Sequence, residues 1–222
     1  MLLAVDTSTR WIGLAIYDGS QVIAEDVWQS KNHHSVELAP AVASLLKRVD
    51  ATKASLQVLA VALGPGSFTS LRIGLGFVKG MALALHLPVV GIPTLDALAA
   101  SQPVQQIPMA AVLQAGRGRI AVGWYVDQGD VWCAQGDAKV TTVEELSQGI
   151  HKPTLVCGEL TTEERHLLAR KRRNVILATP AGSVRRPSFL AELAWRRWQA
   201  GQVDDPVTLS PVYLHVAEAI PG

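Results

Sequence analysis

AVDTSTRWIGLAIY, residues 4–17, and VLQAGRGRIAVGWY, residues 112–125, decide how this chain folds. Each reads as an apolar strand, a polar turn and a second strand of alternating character. A shift of 108 positions lays Asp6 on Gln114 and Tyr17 on Tyr125. Working outward from the first copy, Leu2–Asp6 and Trp11–Tyr17 are strands, Asp18-Gly19 is a hairpin turn, and residues 21–28 return. A helix is expected from about Ser35 to Val49, with Leu38, Val42, Leu45, Leu46 and Val49 at helical spacing. Pro40 suits only its first turns, which leaves the start open. The apolar strand 58–63 runs into Gly64-Pro65-Gly66-Ser67 and a helix from about Thr69 to Leu87. A brief strand at 89–91 follows, and Thr94 is placed as the N-cap of a helix over 95–100.

The second half repeats the order. Strands are expected at 110–113, 119–126 and 131–139, with turns at 114–118 and Gln128-Gly129. Helix 143–148, strand 154–157, helix 163–172, strand 175–177 and helix 188–200 complete it. Three hairpin-joined strands followed by alternating helices and strands predict an α/β lobe of the ribonuclease-H-like kind. Two such lobes predict an actin/hexokinase-like (ASKHA) arrangement, with residues 1–104 as one lobe and 105–206 as the other. The linker falls in the Pro- and Gln-rich Ser101–Pro108, and a tail of about 207–222 is expected to pack back on the first lobe.

Composition narrows the class. The 222 residues are 49% hydrophobic and 18% charged, which excludes disorder as the main state. A net charge of +1 gives no whole-chain field toward nucleic acid or membrane. Cys133 and Cys157 cannot build a disulfide framework and favour a reducing compartment. MLLAVDTSTR places no basic segment before a hydrophobic stretch, so no signal peptide is expected. Leu71 to Leu85 is apolar but interrupted by Arg72, Lys79 and glycines, and is read as no membrane span. The expectation is a soluble cytoplasmic protein. Locally, residues 151–200 carry ten basic against four acidic side chains, either a solvated helix face or a patch for RNA phosphates.

In a two-lobed fold of this kind each first turn approaches a nucleotide phosphate, and a carboxylate there serves a metal ion. Asp6 supplies one, or is a plain turn former; Gln114 is neutral, so independent ATP hydrolysis is not expected. GPGSFTSLRIG, residues 64–74, presents backbone N–H groups at a helix start. Asp6, Thr7, Gly64, Gly66 and Ser67 thus form a candidate phosphate or anion loop. The bland alternative for Ser67 or Thr69 is a helix cap. The segment is neither a Walker A loop nor a nucleophile elbow.

The same segment resembles the GPGSFTGLRIG signature of the TsaB (YeaZ) family. LAVDTST (3–9), His34-Ser35 with Leu38 and Pro40, Lys79-Gly80-Met81-Ala82 and Pro211-Val212-Tyr213-Leu214 are similar to other family elements in order. Arg117–Tyr125 resembles its ARRGEVY strand. Departures are Ser70 for glycine, Val36 for glutamate, Gln114 for aspartate and His215 for arginine. The resemblance implies a non-catalytic scaffold and activator in threonylcarbamoyladenosine synthesis on tRNA. It implies pairing with a TsaD-like transferase and a TsaE-like ATPase, a homodimer when alone, and tRNA contact only within the complex. No cofactor and no metal are expected. The HxxxH metal pair of the TsaD family is absent, since Glu37 and Leu38 stand four residues after His33 and His34. His33 with Glu37 lacks a third ligand, and Ser67, Cys133 and Cys157 have no adjacent base. A kinase-like phosphotransferase or metallopeptidase of the same fold is the alternative.

The helix at 69–87 is apolar nearly all round, so one lobe's sheet cannot cover it. Gly76, Gly80 and Ala84 form a small-residue ridge on it. Either neighbouring helices of the same lobe fill that space or a partner does. The resemblance favours the partner, with an interface drawn from His34, Leu38, Val42, Leu45, Leu71, Arg72, Gly76, Lys79, Gly80 and Met81.

Overall fold

Apolar alternation in the first half produces strands β1 (Leu2–Asp6), β2 (Trp11–Tyr17) and β3 (Val22–Gln29) as an antiparallel meander. Helix α1 (His34–Arg48), strand β4 (Val58–Ala62), helix α2 (Phe68–Leu85), strand β5 (Val89–Ile92) and helix α3 (Thr94–Ala100) follow. The sheet order is β3-β2-β1-β4-β5, with β4 and β5 parallel to β1. This computed structural model describes residues 1–31, 33–171 and 173–214; Arg172, His215 and the rest of the tail lie outside them.

The second half builds β6 (Met109–Gly116), β7 (Arg119–Asp127), β8 (Trp132–Ala134), β9 (Lys139–Thr141), α4 (Val143–Gly149), β10 (Thr154–Gly158), α5 (Thr162–Ala169), β11 (Val175–Leu177) and α6 (Pro187–Gln199). Its sheet runs β11-β10-β6-β7-β8, with β9 also on β7. Each sheet thus has its hairpin strands on one side of the first strand and its parallel strands on the other. Asp6 and Gln114 occupy equivalent ends of β1 and β6, opposite Gly13 and Ile120.

Both faces of each sheet are covered, which is why β1 and β4 are buried along their whole length. Leu3, Val5, Leu59 and Val61 meet α1 and α2 through Leu38, Leu45, Leu75 and Val78. Leu2, Ala4, Val58 and Ala60 meet Leu190, Ala191 and Ala194 of α6. On the second sheet α3 packs Leu95 and Leu98 over Met109 and Ala111, while α4 and α5 cover Ala110, Val112 and Val156. Helices therefore cross over: α6, expected to complete the second half, closes the first sheet, and α3 closes the second.

Other differences have local causes. The strand expected over 131–139 divides into β8 and β9, with Gly136 at φ +78 between them. α5 stops at Ala169 rather than 172. α1 starts at His34 and carries Pro40 in its second turn; Val36, four residues earlier, is exposed, so the lost backbone bond falls on the outer side. Thr94 is not a cap, because Pro93 holds that position and the Thr94 hydroxyl turns to the Gly64 loop. Ser70, which stands where the signature has glycine, is buried, and its carbonyl accepts from Thr7 of the first turn. α2 is long and apolar enough to cross a membrane, with mean hydropathy 1.3 over 18 residues, and a third of it is buried in this chain.

Candidate functional site

The turn after β1 and the end of β10 face each other between the two sheets, and one arginine joins them. Arg185 lies just before α6 and is 6% exposed. Its Nε donates to Asp6 Oδ2 at 2.8 Å, Nη1 pairs with Glu159 Oε1, and Nη2 reaches Thr9 Oγ1 at 3.2 Å. Thr9 Oγ1 in turn donates to Glu159 Oε1 at 2.7 Å. The second Asp6 oxygen accepts the Ser8 N–H at 2.8 Å. Burial works to raise the Asp6 carboxyl, but the Arg185 charge and the hydrogen bonds outweigh it and hold it below the ordinary carboxylate range. Burial likewise opposes the Arg185 charge, and Asp6 and Glu159 overcome it.

The carboxylate expected to face a metal ion is thus engaged by a cation built into the chain. Gln114 cannot replace it: its Nε2 donates to the Glu159 carbonyl at 3.1 Å and to Glu164 Oε2 at 2.8 Å. Among the described residues no cluster of three His, Cys, Asp or Glu side chains is spaced to hold a metal. Glu37, the candidate partner of His33, already accepts from Trp28 Nε1 at 2.8 Å and Ser30 Oγ at 3.1 Å. Burial pushes the Cys157 thiol up to about 12, so it is no nucleophile near neutral pH.

The Gly64–Ser67 loop, expected to hold an anion, lies against the same first turn. The Ser67 N–H donates to the Ser8 carbonyl at 2.7 Å and the Gly64 N–H to Thr94 Oγ1 at 2.9 Å. Thr7 Oγ1 donates to the Ser70 carbonyl at 2.7 Å. A Cβ on Gly66 would stand 2.1 Å from the Ser8 carbonyl oxygen. Asp6, Thr7, Gly64, Gly66 and Ser67 do come together, with the Ser67 N–H spent on the first turn and the Gly64 N–H on Thr94. Ser67 is the α2 cap, accepting from Ser70 N at 3.5 Å. A cleft of about 620 Å³ remains beside the triad, lined by Arg10, Trp11, Gln29, Gln114 and Arg117.

Of the residues expected at a partner interface, His34, Leu38, Val42, Leu45 and Leu71 are each no more than 3% exposed. They belong to the interior of the first lobe: the apolar side of an amphipathic helix meets its own sheet first. His34 Nε2 lies 2.9 Å from the Thr9 carbonyl, helping to fix the first turn. Gly76 and Gly80 face open space, and Leu83 beyond them is 80% exposed. Arg72 stacks over Phe68, whose ring meets Tyr213, and Lys79 Nζ donates to the Val207 carbonyl at 3.5 Å. Met81 is partly buried against the first core. α1 adds exposed Val36, Ala39 and Pro40.

Sequence reading missed Arg185, Glu159, Thr9 and Thr94 as partners of Asp6 and the Gly64 loop. Arg185 was visible only as one cation in a basic stretch, 179 positions from Asp6.

The fold and the filled site define an actin/hexokinase-like two-lobed protein whose interlobe carboxylate is neutralised from within. Comparison with the activator of 2-hydroxyisocaproyl-CoA dehydratase from Clostridium difficile agrees on the fold alone, at TM-score 0.52 and 10% identity over 90% of this chain and 96% of that one. The family model for TsaD, tRNA N6-adenosine threonylcarbamoyltransferase, matches residues 21–171. The tRNA threonylcarbamoyladenosine biosynthesis protein TsaB of Bacillus subtilis is 32% identical over 98% of this chain and 95% of its own. YeaZ from Pseudomonas aeruginosa superposes with a TM-score of 0.79, at 25% identity over 96% of this chain and 99% of that one. The chain belongs to the TsaB (YeaZ) family.

Proposed function

We propose that this chain is a non-catalytic scaffold and activator subunit in the synthesis of threonylcarbamoyladenosine in tRNA. It works in the cytoplasm beside a TsaD-like transferase and a TsaE-like ATPase. The observation that carries the reading is the Arg185 guanidinium on Asp6: a permanent cation stands where a catalytic divalent ion would need that carboxylate. The pathway follows from the name of the Bacillus subtilis relative.

The partner surface is the open side of α2 around Gly76, Gly80 and Leu83, with exposed Val36, Ala39 and Pro40 of α1 added to it. Apolar and small side chains there let another helix pair approach closely. In the absence of the transferase a second copy occupies that face, and tRNA is met only in the assembled complex. The test is co-purification from the native host: a TsaD-like transferase should accompany the chain, and Gly80→Trp should release it. The kinase-like alternative needs ATP turnover by the chain alone that vanishes with Asp6→Ala; observing it would sink the scaffold reading.

A further inference from the structure

A second cavity, of about 510 Å³, opens on the other side of the lobe junction, where α3 and α6 meet β8. Its walls are mostly apolar, with Ile92, Val104, Val131, Trp132, Phe189 and Leu193 among them. That size and character are those of small-molecule sites. What distinguishes it is the polarity of its few hydrophilic groups. Asp96 receives the Tyr125 hydroxyl on Oδ1 at 2.7 Å, and its Oδ2 has no partner among the described residues. Gln102 is 7% exposed; both its amide hydrogens are engaged, by Ser101 Oγ at 2.9 Å and the Gly182 carbonyl at 2.6 Å. Its side-chain oxygen, Oε1, has no partner among the described residues and is left as an acceptor on a residue that lines the pocket. Glu192 of α6 and Asp130 add two further carboxylates. On the donor side, the Trp132 indole N–H is held by the Gln102 backbone carbonyl at 3.0 Å. The Arg197 guanidinium is taken by the Gly91 carbonyl and Asp204. Arg196 is exposed at the rim.

We propose that this pocket binds a small organic ammonium compound with an apolar, ring-bearing body. The ring would lie among Trp132, Phe189 and Leu193, and the ammonium group, a donor without acceptors, would satisfy Asp96 and the Gln102 carbonyl. An anion of the same shape would meet the carboxylates of Asp96, Asp130 and Glu192, with Arg196 at the rim as the one lining cation not already taken up among the described residues, so the pocket favours a cation by charge.

The experiment titrates the full chain with phenethylamine and, separately, with hydrocinnamate, which carries a carboxylate on a similar body. Ligand-observed NMR and calorimetry read the binding. Phenethylamine should bind saturably, at least about tenfold more tightly than hydrocinnamate, the usual worth of one charge-assisted hydrogen bond. Asp96→Asn keeps an oxygen for Tyr125 but removes the charge, and should weaken phenethylamine about tenfold. Val104→Trp, in the linker at the pocket wall, should abolish binding while the chain stays folded by circular dichroism. Equal affinity for the two probes, no saturable binding of either, or unchanged binding in the Val104→Trp chain would overturn the proposal.

Discussion

Arg185 Nε stands 2.8 Å from Asp6 Oδ2, so the segment before the last long helix is tied to the turn after the first strand. Through Nη1 the same guanidinium holds Glu159 at the end of β10, so one side chain couples the turns of both sheets. The arrangement has the charge logic of a metal site, with two carboxylates and a hydroxyl around a cation, but the cation is covalently part of the chain.

Arg185→Met should therefore cost about 3–5 kcal/mol, because Asp6 and Glu159 would be left buried without their counter-charge. Arg48→Met is the control, since that guanidinium pairs with Asp26 while 54% exposed, where solvent screens the pair, and its loss should be much smaller. Urea unfolding of the two variants checks the contrast; equal losses would mean the triad contributes no more than a surface pair.

Acid should act through Asp6. Its folded carboxyl lies below its ordinary value of 3.8, so its stabilising contribution is complete above 3.8 and is lost as pH falls through the folded value. The stability gap between the native chain and Asp6→Asn should accordingly narrow below about pH 4. Urea midpoints measured from neutral pH downward test this. Asp96 has the opposite sign, since burial raises its carboxyl: folding is favoured below the unfolded value and that advantage fades as pH rises through the folded one.

Gly66→Ala and Gly76→Ala should move in opposite directions. A Cβ at Gly66 meets a backbone oxygen at 2.1 Å, which cannot retreat without moving the first turn, and about 3 kcal/mol should be lost. A Cβ at Gly76 meets nothing within 4 Å, and replacing a mid-helix glycine should add about 1 kcal/mol. Thermal unfolding of the two variants reads the signs directly.

Gly80→Trp and Leu83→Glu should leave the melting temperature close to that of the native chain, since both positions are open. Both should weaken capture of the TsaD-like transferase in a titration. Met81 is less suitable for a charge, because its side chain packs partly on the first core and folding would suffer as well. Unaltered partner affinity in a well-folded Gly80→Trp chain would place the interface elsewhere.

The basic stretch 165–173 divides by role. Arg165 donates to the Ala178 carbonyl at 2.6 Å and Lys171 to the Ser147 carbonyl, so both hold the second lobe together. Arg170 and Arg173 are exposed. Reversing these two to Glu should change stability by about 0.5 kcal/mol or less. The salt dependence of tRNA binding by the assembled complex then tells whether they meet phosphates: an unchanged slope excludes that role.

The sequence by itself determined the repeated strand-turn-strand, the two sheets and the family, because alternation, hairpin turns and the 64–74 loop are local patterns. Strand limits such as Leu2–Asp6 and Trp11–Tyr17 were legible to the residue for that reason. Tertiary structure decided which side chains meet. Thr94 looks like a helix cap because its neighbours do, yet Gly64 and Ser8 claim its hydroxyl from other elements. Leu38, Val42 and Leu45 look free to face a partner because a helical stripe does not say which surface covers it, and the first sheet does. The exchange of α3 and α6 between sheets leaves no local mark, since either helix is apolar enough for either sheet. The Asp6–Arg185–Glu159 triad follows from that exchange. It joins residues far apart in the chain, and only the path that returns α6 to the first sheet brings Arg185 between the two carboxylates.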